Sequence, residues 1–159
     1  GKGVVLLLEG IQEADVTQLR SKGFLDEIAK YPGIKIIKRT GNYLRRDAII
    51  ETEKLLKAGI RVDAIFSESD SMLSGVRSVY RRYDIAVSSI ITVGCDYTSE
   101  AQKAILAGTQ TGSILFPLGG KEAAAAAVKI LAKEKVAKHI YNPVQLITKE
   151  NANSVPPIF

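Results

Sequence analysis

The chain has one cysteine, one histidine, one methionine and no tryptophan among 159 residues. A lone cysteine excludes an internal disulfide and a thiolate-based zinc cluster. The lone His139 lies in the lysine-rich stretch "AKEKVAKHIYNP", with no second histidine or cysteine near it for a metal site. It reads as a cation at a helix end, favoured by the helix dipole, ahead of a general base. No run of about 18 apolar residues occurs, so no helix is long and apolar enough to span a bilayer. The opening "GKGVVLLLEG" is too short, and turns acidic too soon, for a signal peptide. A removed leader or a missing N-terminal part remains compatible with a chain that begins almost directly on a strand. Long basic runs are also lacking. The net charge is +5, but Lys and Arg are scattered through "KIIKR", "RSVYRR" and "KEKVAK". That spacing reads as a solvated basic surface and not as a nucleic-acid site. Phosphate loops are missing too. "GTQTGSILF" lacks the Lys-Ser/Thr of such a loop and precedes a strand. "LGGKEA" opens a helix, either as an anion site or simply as a glycine-containing start.

What is present suffices for one ordinary domain. Hydrophobic residues make up 46% and charged residues 25%, enough for a packed core. Apolar runs alternate with helix-period segments. "VVLLLEG" (4–10), "IKIIKRTG" (34–41), "VDAIF" (62–66), "SSIITVG" (88–94), "GSILF" (112–116) and "VQLIT" (144–148) read as strands. Between them lie helices. "RRDAIIETEKLLKAG" places Ala48, Ile49, Thr52, Leu55 and Leu56 on one stripe and stops at Gly59. Near-continuous apolar strands, each followed by an amphipathic helix, imply an α/β fold with a doubly wound, open parallel sheet of flavodoxin-like topology. The final "NANSVPPIF" reads as an extended tail leaving the domain, because its prolines oppose a helix.

In this fold class ligands sit outside the carboxyl ends of the strands. Those ends carry Glu9–Gly10, "TGNY" (40–43), "SESD" (67–70), "CDY" (95–97) and Phe116–Pro117. Glu68 and Asp70 could be a catalytic pair, a helix start or a pocket rim. Capping is the leading reading for Asp70: Ser67 or Ser69 can accept from a free helix N–H, an acid in the first turn suits the helix dipole, and Ser67 with Asp70 three residues on is similar to a capping box. No other group supports a catalytic dyad. Cys95 reads as a small buried packing residue, because His139 is its only conceivable base.

Three segments together resemble the type I periplasmic binding proteins, a superfamily that shares its core with the lactose repressor. "RSKGF" (20–24) is similar to the Arg-x-x-Gly-Phe opening the second lobe of the sugar-binding members. "DAIFSESDSMLSG" is similar to Asp-Ala-Ile/Val-Phe followed by Asn-Asp-x-Met-Ala-x-Gly, and "VGCDY" to Val-Gly-Phe/Tyr-Asp. The likeness runs from Val4 to Lys149 and covers the C-terminal lobe only.

The resemblance implies a non-catalytic protein that holds a small polar, sugar-like ligand between two lobes. It also implies delivery of that ligand to an ABC transporter from a periplasmic or extracytoplasmic location. A ligand-sensing domain of a membrane receptor kinase and the effector-binding core of a repressor are the alternatives. Residues 1–149 would form the lobe and 150–159 the tail. Within 117–149 the family's chain returns in part to the first lobe, so helix 121–133 should pack on that lobe or on another chain. The ligand-binding residues implied are Arg20, Tyr43, Ser69, Asp96 and Phe116. Arg20 offers a planar fork to hydroxyl or ring oxygens, Tyr43 a ring face, and Asp96 two acceptors. Ser69 stands where the family has Asn, and Phe116 where ribose-type members have Gln. Both departures point away from ribose itself. No catalytic residue, cofactor or metal is implied, and no nucleic-acid contact by these residues.

Overall fold

A computed structural model describes residues 1–159. Strands β1 (Lys2–Glu9), β2 (Gly33–Thr40), β3 (Ala64–Ser67), β4 (Ile91–Asp96), β5 (Gly112–Leu115) and β6 (Gln145–Thr148) form one sheet in the order β2-β1-β3-β4-β5-β6. Helices α1 (Asp15–Ile28), α2 (Arg45–Lys57), α3 (Asp70–Arg82), α4 (Ser99–Leu106) and α5 (Gly120–Leu131) alternate with them. The first five strands run parallel and β6 runs antiparallel to β5. The order reverses between β1 and β3, which creates the switch point where a doubly wound sheet opens a crevice.

The strands are legible because burial follows the pleat and the layers. Leu6 and Leu8 of β1 and Ile65 of β3 enter the main core with Ala48 and Leu55 of α2 and Met72, Leu73 and Val76 of α3. Removing each of the larger of these side chains from water contributes about 1.5–3 kcal/mol, and Ala48 less. Helices α2 and α3 pack closely because Gly75 has no side chain. A Cβ there would meet the Arg45 carbonyl oxygen at 2.7 Å.

A second, smaller cluster joins Tyr97, Ile105, Ile147 and Ala152, all fully or almost fully buried. It corrects the expectation that 150–159 leave the domain. The Tyr97 hydroxyl donates between the Ala152 and Val155 carbonyls, both at 3.0 Å. The Ile158 N–H bonds the Tyr97 carbonyl, and the Ser99 N–H bonds the Phe159 carbonyl. The prolines forbid a helix, as expected, but the chain folds back because its carbonyls satisfy a buried phenol and a helix start. No residue from 116 to 144 is buried, α5 included.

Candidate functional site

The carboxyl ends of β1, β3, β4 and β5 share one end of the sheet. Arg20, in the first turns of α1, reaches across it. One guanidinium nitrogen donates to the Glu68 carbonyl after β3, and another lies 3.4 Å from Asp96 Oδ1 at the end of β4. The guanidinium stands 4.9 Å from the centre of the Phe116 ring beyond β5. A cation over a ring face is attracted by the ring quadrupole, so Phe116 supports Arg20 from below while leaving much of its own surface open. Burial pushes the Asp96 carboxyl up, and the adjacent Arg20 charge and hydrogen bond oppose that shift. Asp96 and Tyr97 have φ of 98° and 60°. This left-handed corner turns the chain sharply between strand and helix, at a cost typical of functional loops.

Tyr43 also has a positive φ, 60°. Its ring lies over Gly10, where a Cβ would collide with it at about 2.0 Å. The hydroxyl bonds Thr17 Oγ1 at 2.8 Å and stands 3.5 Å from Glu68 Oε2. Tyr43 is therefore tied to the β1–α1 side of the crevice floor, while Arg20, Asp96 and Phe116 form its other side.

Of the two serines expected as candidate caps, Ser69 is the one used, while Asp70 does different work from the sequence reading. Ser69, not Asp70, caps α3: its Oγ accepts from the Met72 N–H at 3.2 Å. Ser67 makes no capping box, since its hydroxyl donates to the Ser69 carbonyl. The Asp70 carboxylate turns away from its own helix. It accepts from the Tyr97 and Thr98 N–H groups, the Ser113 hydroxyl and the Gln110 amide, at 2.7–3.3 Å. Burial pushes its carboxyl up, and these four donors counter it. Asp70 is thus a clamp fastening α3 to β5 and to the β4–α4 corner that carries Asp96.

Glu68 faces the opposite way and is completely inaccessible. Its carboxyl oxygens meet the Gly10 N–H at 2.8 Å and Ser21 Oγ at 2.8 Å, and Ser21 also reaches Glu9 Oε1 at 2.9 Å. Sequence reasoning paired Glu68 with Asp70 by proximity along the chain, but Glu68, just past β3, turns to the β1–α1 side, while Asp70, already in the first turn of α3, turns to β5 and the β4–α4 corner. The real partners of Glu68 are 47 and 58 residues away, beyond any local pattern. Cys95 is buried, and desolvation pushes its thiol up to about 12, which leaves it without nucleophilic character at neutral pH. A surface recess lined by Arg77, Arg81, Asp84 and Thr109 lies toward the amino ends of β4 and β5, away from these groups.

An Arg, an Asp and two aromatics thus gather at the carboxyl ends of the strands, beside the switch point of a doubly wound sheet. A model of the periplasmic binding protein domain matches residues 1–135, and the chain belongs to that family. The putative rhizopine-binding protein of Rhizobium meliloti is 30% identical over 95% of this chain and 50% of its own length. The ribose import binding protein of Haemophilus influenzae is 31% identical, over 89% of this chain and 48% of its own. An ABC transporter periplasmic solute binding protein from Actinobacillus succinogenes 130z, solved with bound D-allose, superposes with a TM-score of 0.86 at 27% identity. The match covers 97% of this chain and 55% of that one. The chain thus spans about half the length of the relatives it matches. The family is one of periplasmic or extracytoplasmic solute-binding proteins, not enzymes.

Proposed function

We propose that this chain supplies the second-lobe half of a cleft that binds a small polyhydroxylated ligand, a sugar or cyclic polyol, without reacting with it. The observation that carries this reading is the convergence of Arg20, Asp96 and Phe116 at the mouth of the switch-point crevice. Arg20 is already oriented by the Glu68 carbonyl, Asp96 and the Phe116 ring, so little freedom is lost when it meets ligand oxygens. Asp96 keeps acceptor capacity for hydroxyl donors. Phe116 and Tyr43 offer ring faces to C–H groups. Ser69 is a weaker ligand group, because its oxygen already accepts from the helix, although its proton remains available to donate.

Lobe closure on the ligand, and delivery to an ABC permease, are the mechanism we propose for the whole protein. In that assembly α5 packs on the other lobe, which would cover Val128 and Leu131, now exposed. Calorimetric titration of ribose, D-allose and cyclic polyols into the two-lobed protein should find one ligand bound tightly. Arg20→Lys should weaken it about 10- to 100-fold, since a point charge replaces a fork with three fixed partners. The 159-residue chain alone should bind nothing measurable. Tight binding by that chain, or an unchanged affinity in R20K, would sink the reading.

A further inference from the structure

Beneath the crevice floor two carboxyl groups face each other across one hydroxyl. Ser21 Oγ lies 2.9 Å from Glu9 Oε1 and 2.8 Å from Glu68 Oε1. A serine hydroxyl has one proton to donate. With both carboxyls ionised, the second approach would set oxygen lone pairs against each other at hydrogen-bond distance, out of water. Each of the three residues is at most 7% exposed, which makes an unbridged acceptor pair costly. One carboxyl therefore holds a proton and donates it to Ser21.

The surrounding charges decide which one. Lys38 on β2 lies 3.5 Å from Glu9 Oε1 and balances a negative charge there. Glu68 has no cation bonded to its carboxyl: Arg20 of α1 bonds its backbone carbonyl, and the Arg20 charge, which favours ionisation, is outweighed by burial. Its remaining neighbours are the Gly10 N–H of the β1–α1 turn and the Tyr43 hydroxyl. From β4, Cys95 contributes a neutral thiol. We propose that Glu68 is a positioning residue that works as a neutral carboxylic acid at neutral pH. Its Oε1–H donates to Ser21, Ser21 donates to Glu9, and Oε2 accepts from the Gly10 N–H and the Tyr43 hydroxyl. The β1–α1 turn, the Tyr43 ring and the carbonyl that orients Arg20 are thereby held on one uncharged support. Burial raises the Glu68 carboxyl, in agreement with this placement. The proton is independent of the binding reading; only its effect on a ligand rests on that reading.

The direct test is NMR titration of the full chain carrying carbon-13 in its glutamate carboxyls. One carboxyl carbon should keep its acid-form shift after the others have ionised, and that signal should be missing in Glu68→Gln. The carboxamide supplies an N–H to Ser21 and an oxygen to Gly10, so this variant imitates the neutral acid and should fold. A folded-state value raised above the unfolded one gives stability that is present at acid pH and lost as pH rises through the folded value. The Tm of the wild type should therefore fall relative to that of E68Q as pH rises. Ligand affinity of the two-lobed wild type should weaken over the same rise and that of E68Q should not. Absence of a late-titrating glutamate, its persistence in E68Q, or parallel Tm curves would overturn the proposal. A late-titrating Glu68 in a protein that binds no sugar would count against the binding reading alone.

Discussion

Asp70 shows how much of this site depends on residues that never face the crevice. One carboxylate collects four donors from three segments and so fixes the corner that presents Asp96. Gly94 makes room for it: a Cβ there would lie 2.0 Å from Asp70 Oδ1. Gly94→Ala should therefore displace the clamp and destabilise the protein by about 1–3 kcal/mol, read as a shifted urea midpoint. An unchanged midpoint would mean that Asp70 moves aside freely. From sequence alone, Asp96 and Phe116 were legible as groups at strand ends, whereas Arg20, inside α1, came only from the resemblance carried by "RSKGF". The role of Asp70 was not legible. Its position in the first turn of α3 fits a cap equally well, and only the sheet reveals donors that lie up to 43 residues away.

At the scale of elements, the β4–α4 corner is where the chain's end is fastened. Tyr97 is fully buried with its hydroxyl between two tail carbonyls. Tyr97→Phe keeps the ring and removes the phenol from both tail carbonyls. The Gln102 amide then remains their shared donor, at 2.7 Å from the Ala152 oxygen and 3.3 Å from that of Val155. The expected cost is about 1–2 kcal/mol, seen in thermal unfolding, together with faster hydrogen exchange at Ile158 and Ser99. A tail whose exchange is indifferent to this change would not be anchored by Tyr97. The strands and helices themselves follow from apolar runs and helical stripes, which burial in the sheet and on its faces explains. The docking of the tail was hidden because backbone carbonyls supply it, and backbone carbonyls are the same in every sequence. The direction of β6 was hidden for a related reason: a short apolar run looks alike in either orientation.

At the scale of the molecule, the lobe divides its labour across the sheet. Its large core lies between β1, β3, α2 and α3, and its small core lies around Tyr97 and Ile147. The groups we propose for the ligand, Arg20, Asp96 and Phe116, stand on the rim between them, outside both cores.

The antiparallel register of β5 and β6 has a consequence for how the lobe can be cut. Leu115 pairs directly with Gln145, so the whole of 116–144 is one long excursion between two residues already side by side. In topological terms it is an oversized hairpin loop. Its removal would take no buried residue from the core, although it would also remove the Phe116 ring that stands against Arg20. Joining Leu115 to Gln145 through Asn-Gly, the turn that suits a two-residue β-hairpin, should leave a contiguous miniature lobe. That lobe should unfold cooperatively with its α/β circular dichroism intact. Loss of cooperative unfolding would show that the excursion is structural. Its persistence would make this lobe a scaffold separable from whatever the excursion touches.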